Sequence, residues 1–238
     1  GIAIATVILP TLSRQHARAS AEHFNQTLNW ALRLVVLITI PACAGLFIMA
    51  GPILASLFEY GEFTAKDTYF SSLSLMAYML GLPALIIIKI LAPGYYARQD
   101  TRTPVRIGII AMVLNMVFNI AFVVPLVMMD YQAPHVGLAL ATSLSAYINA
   151  LMLYSGLRRS GVFTPEAGWL AWLFRIVIAS TAMAAAVLWL NPDAIQWSQW
   201  SLIERLTNLG SIILVGVFIY FTLLWFQGLR PSMLRKQA

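Results

Sequence analysis

The chain has 238 residues, of which 60% are hydrophobic and only 10% are charged, and its formal net charge is +6. Because a typical soluble domain has about 25% charged residues, this composition excludes an ordinary water-soluble fold. The positive charge does not indicate nucleic-acid binding, since the basic residues lie at the ends of long apolar segments.

Apolar runs long enough to cross a membrane recur along the chain. About 20 helical residues, rising about 1.5 Å each, span the roughly 30 Å hydrocarbon layer. The runs lack the alternation of a β-barrel wall. The sequence therefore predicts an all-α, polytopic transmembrane helical bundle with one partial and six full spans. The partial span covers residues 1–13, and the full spans cover about 28–49, 68–92, 105–127, 135–157, 168–190 and 206–227.

The opening residues provide only half a crossing, so we expect the chain to continue a longer protein as its C-terminal part.

The first half of the chain contains two candidate hinges. Pro41 and Pro83 lie inside predicted spans, where each removes a backbone hydrogen bond and favours a kink. Between them, residues 51–63 predict a short interfacial helix. Thr64 and Asp67 have the spacing of a capping box at the start of the next span.

A basic loop over residues 89–106 separates two spans and has the densest cluster of charge. Thr103 and Pro104 predict a helix start there, and Thr164 and Pro165 repeat the pattern before the span at 168–190. We expect the chain to divide into a helical bundle over residues 1–160 and a second part over 161–238. The second part holds two additional helices and a basic tail.

The positive charges predict which side of the membrane each loop occupies. All but two of the 15 Lys and Arg residues lie in or beside alternate loops and the tail, and the two on the other side are Lys66 and Arg205. By the positive-inside rule, the basic loops and the C-terminus are cytoplasmic. The 13 residues on this side are Arg14, Arg18, Arg33, Lys89, Arg98, Arg102, Arg106, Arg158, Arg159, Arg175, Arg230, Arg235 and Lys236.

Several polar residues inside or beside the spans are candidates for substrate contact. Asn115 and Asn119 share one helix face, where they predict either hydrogen bonds between helices or the lining of a cavity. Lys89 is suited to snorkelling or to facing an anion. The loop arginines Arg98, Arg102 and Arg106 indicate topology and lipid headgroup contact, or recruitment of an anionic headgroup. Gly137, Ala141, Ser145 and Asn149 recur every fourth position, a pattern that favours helix packing over substrate contact.

No catalytic, metal or cofactor site is predicted. No Asp or Glu lies in the middle of a span, and the three His residues are too scattered for a metal site. The chain has no nucleophile elbow and no phosphate-binding loop. We therefore do not expect an enzyme.

Two segments carry a resemblance to a known family. The sequences GPILASLFEYGEFTAKD at 51–67 and LAPGYYARQDTRTPV at 91–105 resemble the peptidoglycan lipid II flippases, the MurJ/MviN family of the MOP transporter superfamily. The resemblance extends over the whole chain and matches the second half of that family. It implies half of a MATE-like two-bundle transporter, in the bacterial cytoplasmic membrane, with a central cationic cavity.

The resemblance also implies partners and separate binding regions for the headgroup and the tail of the lipid. The cavity takes the headgroup of lipid II and releases it outside by alternating access, and the last two helices form a groove for the polyprenyl tail. The partners implied are lipid II, membrane lipids and the missing N-terminal half. The family's main cavity arginines lie before Gly1, so none is carried over. The alternatives are an O-antigen-type flippase, a cation-coupled drug exporter or a membrane scaffold for cell-wall enzymes.

Overall fold

The structure is a computed structural model that describes residues 9–15 and 21–229. Residues 9–15 are helical (α1), and eight further helices follow within the described residues. They are α2 (Ala21–Ile48), α3 (Ala50–Phe58), α4 (Ala65–Tyr96), α5 (Arg102–Met128), α6 (His135–Arg159), α7 (Trp169–Leu190), α8 (Ala194–Gln199) and α9 (Leu202–Phe226). The described residues contain no strand.

Six of these helices are long and apolar enough to span a membrane, which confirms the six predicted full spans. They are α2, α4, α5, α6, α7 and α9. The short interfacial helix predicted over 51–63 is α3, whereas α8 was not predicted. Most of the predicted partial span and the whole basic tail lie outside the described residues.

Several helices extend beyond the predicted apolar layer. The largest difference is at α2, which begins at Ala21 rather than near residue 28. Hydropathy locates only the apolar part of a helix, and the polar first turns of α2 lie outside that part. In these turns, Asn25 donates a hydrogen bond to Thr164 in the loop before α7.

Side-chain caps define several helix starts. The predicted capping box is confirmed at α4, where the Thr64 amide donates to Asp67 Oδ2 at 2.9 Å. The predicted cap at Thr103 is wrong, because α5 already begins at Arg102 and Asp100 accepts the Thr103 amide at 3.0 Å. Asp100 and Thr103 both have side chains that can cap a helix, and it is the side chain of Asp100 that accepts the backbone hydrogen bond.

The start predicted at Thr164 is also wrong. Helix α7 begins at Trp169, after Gly168 in a left-handed conformation with φ 85°. Thr164 instead bonds to Asn25, since its amide donates to Asn25 Oδ1 at 2.9 Å. The Thr-Pro pair therefore belongs to a tether between a loop and α2.

Helices α4 and α6 form the centre of the bundle, with α5 against α6 and α2 against α4. Helices α4 and α6 approach closely at Gly81 of α4, where a Cβ atom would lie 2.6 Å from the Ser143 Cα. Ser143 donates a hydrogen bond to the Ala77 carbonyl at 2.7 Å across the same contact. Ser143 is not part of the stripe of small residues that starts at Gly137. That stripe packs against α5, since a Cβ at Gly137 would lie 3.1 Å from Val123 Cγ2, as the packing interpretation predicts.

The pair α7 and α9 packs against α2 and α3 and is held by a second hydrophobic core. Residues 179–186 of α7 form a tract of mostly small residues, and this tract contributes Ala179 and Met183 to the core. On α9, a Cβ at Gly216 would lie 2.9 Å from Val187 Cγ2. The tract is therefore explained by packing of α7 on α9.

Candidate functional site

Six of the 11 Lys and Arg residues in the described part of the chain lie in segments that meet at one end of the molecule, which we call the basic end. It comprises residues 21–33, 95–106 and 153–169, and hydrogen bonds link these segments. The Tyr95 hydroxyl donates to the Leu153 carbonyl at 2.8 Å, and Arg98 Nη1 donates to Ser160 Oγ at 3.4 Å. Because the chain alternates direction, segments separated in sequence share this end.

The turn between α4 and α5 is the centre of the basic end. Gln99 adopts φ 61°, a left-handed conformation that closes the turn. Hydrogen bonds from Thr103 hold the pKa of Asp100 below its usual value. A carboxyl group with a lowered pKa stabilises the folded state above its ordinary pKa, and this contribution is lost as the pH falls through the lowered value. Asp100 therefore caps α5 at neutral pH.

The predicted cationic residues divide into one that is bound and three that are free. Arg98 is half-buried and bonded to Ser160, whereas Lys89, Arg102 and Arg106 are exposed. None of these three forms a hydrogen bond or ion pair with a described residue, so their charges remain available to an anion. Lys89 lies seven residues before the end of α4, or about 10 Å at helical rise, a length that its side chain partly covers.

A tether that the sequence did not reveal joins α2 to the loop before α7. Asn29 is fully buried and accepts hydrogen bonds from the Glu166 amide at 3.2 Å and from Trp169 Nε1 at 2.8 Å. Arg33 forms an ion pair with Glu166 at 3.5 Å and lies over the Trp169 ring. These contacts fix α7 beside the first turns of α2 at the basic end.

The predicted asparagine pair lies between α5 and α6. Asn115 Nδ2 donates to Thr142 Oγ1 at 3.4 Å and to Ser145 Oγ at 3.3 Å, and Asn119 donates to Asn115 Oδ1 at 3.1 Å. The first of the two predicted alternatives, hydrogen bonding between helices, is therefore present. Asn119 Oδ1 is buried and accepts no hydrogen bond from the described residues.

At the opposite end, Arg205 of α9 is 5% exposed, although the sequence treats it as an ordinary loop charge. Its guanidinium forms an ion pair with Glu59 at 3.7 Å and lies over the Tyr60 ring. It also donates to backbone carbonyls, those of Ala55, Glu59, Ser198 and Trp200. Glu59 Oε2 accepts a hydrogen bond from the Thr68 hydroxyl at 2.7 Å. These contacts link the start of α9 to α3 and α4.

The outer face of α9 carries a shallow apolar groove of about 800 Å³. Its lining includes Leu214, Phe218, Phe221 and Trp225, and these side chains are largely exposed. Apolar side chains of this kind suit a hydrocarbon chain better than a polar headgroup.

Comparison with known proteins identifies a family. The family model described as "Lipid II flippase MurJ" matches residues 1–208. Curated relatives named "Probable lipid II flippase MurJ" are 44% identical over 97% of the chain in Vibrio cholerae and 41% identical over 97% in Haemophilus influenzae. A relative in Burkholderia cenocepacia named "Lipid II flippase MurJ" is 34% identical over the whole chain.

A solved structure gives the same result. The structure titled "Lipid II flippase MurJ, inward closed conformation" has a TM-score of 0.72 and 28% identity, and the match covers 95% of this chain. It covers 43% of that chain, and the three curated relatives are covered over 42% to 45% of their length. The chain thus spans less than half the length of the proteins it matches.

Proposed function

Because this chain belongs to the lipid II flippase MurJ family, we propose that it forms the C-terminal part of a protein that moves lipid II across the bacterial cytoplasmic membrane. The observation that carries the proposal is the family match over residues 1–208. Every named relative above is called a lipid II flippase, which favours this substrate over those of other exporters. The protein acts as a transporter and not as a catalyst.

The proposed mechanism is alternating access, with the bundle of α2, α4, α5 and α6 rocking against the part of the protein that this chain lacks. The basic end is cytoplasmic by the positive-inside rule, so lipid II is first met there. Lys89, Arg102 and Arg106 are free to attract its pyrophosphate, and Arg98 adds positive charge nearby. The C-terminus lies on the same side.

The other predicted residues support this cycle in different ways. Asn115 and Asn119 hold α5 to α6, and the unpartnered oxygen of Asn119 offers an acceptor to a substrate group. Pro41 and Pro83 lie within continuous helices, α2 and α4, where they weaken the backbone ladder and permit bending. The α9 groove receives the apolar tail of the lipid.

Depletion and rescue in a bacterium test the function. A full-length protein containing this chain should restore growth and lipid II translocation when the host flippase is depleted. Residues 1–238 expressed alone should fail, because they provide less than half of the transporter. Failure of the full-length protein, although it is present in the membrane, would contradict the proposed function.

Charge reversal at Lys89 tests the cationic entry. In the full-length protein, Lys89→Glu should lower the translocation rate about ten-fold, since repulsion of the pyrophosphate replaces attraction. The measurement is lipid II translocation in proteoliposomes at low and high salt, where salt should reduce the difference. The matched control is Lys66→Glu, an exposed cation at the opposite end, which should leave the rate within about two-fold.

Equal losses in the two variants would remove Lys89 from the entry site. Labelling of Arg102→Cys, in a background without other cysteines such as Cys43, checks the orientation in cells. A reagent that does not cross the membrane should reach this cysteine from the cytoplasmic side only. Labelling from outside would reverse the proposed orientation.

A further inference from the structure

Pro41 creates an unsatisfied carbonyl in the middle of α2. In a regular helix the amide of residue 41 would donate to the carbonyl of residue 37, but proline has no N–H. The helix nevertheless continues from Ala21 to Ile48. Within a hydrocarbon layer no water is available to the Leu37 carbonyl, so leaving it without a donor is costly.

A tyrosine from another helix supplies the missing donor. The Tyr220 hydroxyl of α9 donates to the Leu37 carbonyl at 2.6 Å. Tyr220 is 3% exposed and Leu37 is 5% exposed, so the bond is shielded from solvent on both sides. The hydroxyl therefore takes the place of the amide that Pro41 lacks.

This bond lies where α2 passes from one hydrophobic core to the other. Val35 and the residues before it belong to the core with α4 and α6, whereas Leu37 belongs to the core with α7 and α9. A bend at Pro41 would change the angle between these two units. The Tyr220 bond links α9 to α2 at that turn.

We propose that Tyr220 is a positioning residue. Its hydroxyl, bonded to the Leu37 carbonyl, keeps α2 from bending further at Pro41 and so sets the angle between the bundle and the pair α7 and α9. The role in transport rests on the function proposed above, whereas the effect of the Tyr220 bond on bending of α2 does not. A further bend of α2 at Pro41 during the transport cycle requires this bond to break.

A second tyrosine, Tyr147, provides a comparison, although it is 40% exposed. The Tyr147 hydroxyl of α6 donates to the Leu80 carbonyl of α4 at 2.9 Å, three residues before Pro83. In the regular helical pattern the Leu80 carbonyl also accepts the amide of Ala84, so it does not depend on the tyrosine. The same chemical change, tyrosine to phenylalanine, should therefore have a smaller effect at Tyr147 than at Tyr220.

Hydrogen exchange of the full-length flippase in lipid nanodiscs tests the proposal. Tyr220→Phe keeps the ring and removes only the hydroxyl, so exchange of the amides in residues 37–45 should become about five-fold faster. Exchange around Pro83 should stay unchanged. Tyr147→Phe should leave both regions within about two-fold of the parent protein.

The second step restores the missing amide. Pro41→Ala gives the Leu37 carbonyl a backbone donor and is favourable in a helix, so this variant should fold. In the Pro41→Ala background, Tyr220→Phe should lose most of its effect on exchange. Equal effects of Tyr220→Phe with and without Pro41, or faster exchange throughout the protein, would overturn the proposal.

Translocation of lipid II by the same proteins separates the two inferences. A parent protein that fails to translocate lipid II counts against the proposed function, while exchange still tests the Tyr220 bond without any substrate. If the parent is active, a translocation rate in Tyr220→Phe that differs from the parent by two-fold or more supports the positioning role. Faster exchange with an unchanged rate overturns it.

Discussion

Replacing Arg205 with alanine should lower the free energy of unfolding by about 3 to 5 kcal/mol. The reason is that Glu59, whose side chain is only 9% exposed, would lose the cation beside it. The backbone carbonyls that Arg205 now satisfies would also lose their donor. Chemical denaturation of the full-length protein in detergent gives the loss directly.

The matched control for Arg205 is Arg33, which also joins an ion pair and lies over an aromatic ring. The Arg33 side chain is 28% exposed and that of its partner Glu166 is 37% exposed, so water screens the pair. Arg33→Ala should therefore cost only about 1 kcal/mol. Losses of the same size in the two variants would contradict the burial argument.

A double-mutant cycle isolates the pair itself. With Glu59→Gln present, Arg205→Ala no longer leaves a buried charge, so the two changes together should cost at least about 1 kcal/mol less than the sum of the single changes. The remaining loss reports the backbone carbonyls. Strictly additive losses would show that Glu59 and Arg205 do not depend on each other.

Hydropathy and charge predicted the parts of the fold that depend on neighbouring residues in the sequence. Six apolar runs became six helices that can span a membrane. The Thr64 capping box was also predicted, because its residues are three apart. A second capping box, at Ser201 and Glu204, has the same spacing and was overlooked.

Contacts between distant residues could not be predicted in this way. Arg205 and Ala55 are 150 positions apart, and Tyr220 and Leu37 are 183 positions apart. Nothing local distinguishes Arg205 from a solvated loop arginine, since its partners come from α3 and the α8 segment. One signal was available for Tyr220: a proline inside a membrane helix implies that some other group must satisfy the freed carbonyl.

The exposure of the candidate cations was predicted, but the contacts around them were not. The exposed cations Lys89, Arg102 and Arg106 follow from sequence, because charged side chains at helix ends reach the interface. The buried tether through Asn29 did not, since asparagine near a helix start is common at surfaces. Whether a polar residue lies at a surface or within a contact depends on which helices pack together.

The same dependence on helix pairing makes Gly81 a sensitive position. Gly81→Ala should lower the free energy of unfolding by about 2 kcal/mol, because the added methyl group would lie 2.6 Å from the Ser143 Cα. A backbone atom cannot rotate away as a side chain can. Helices α4 and α6 must therefore separate, which also strains the hydrogen bond from Ser143 to the Ala77 carbonyl.

Gly108 of α5 provides the control for this prediction. A Cβ atom at Gly108 has no neighbour within 4 Å, so Gly108→Ala adds helix propensity without a clash. Denaturation in detergent should show this variant unchanged or more stable by up to about 1 kcal/mol, while Gly81→Ala is destabilised. The opposite order would mean that α4 and α6 do not pack as closely as the Gly81 contact requires, and the centre of the bundle would have to be assigned to another helix pair.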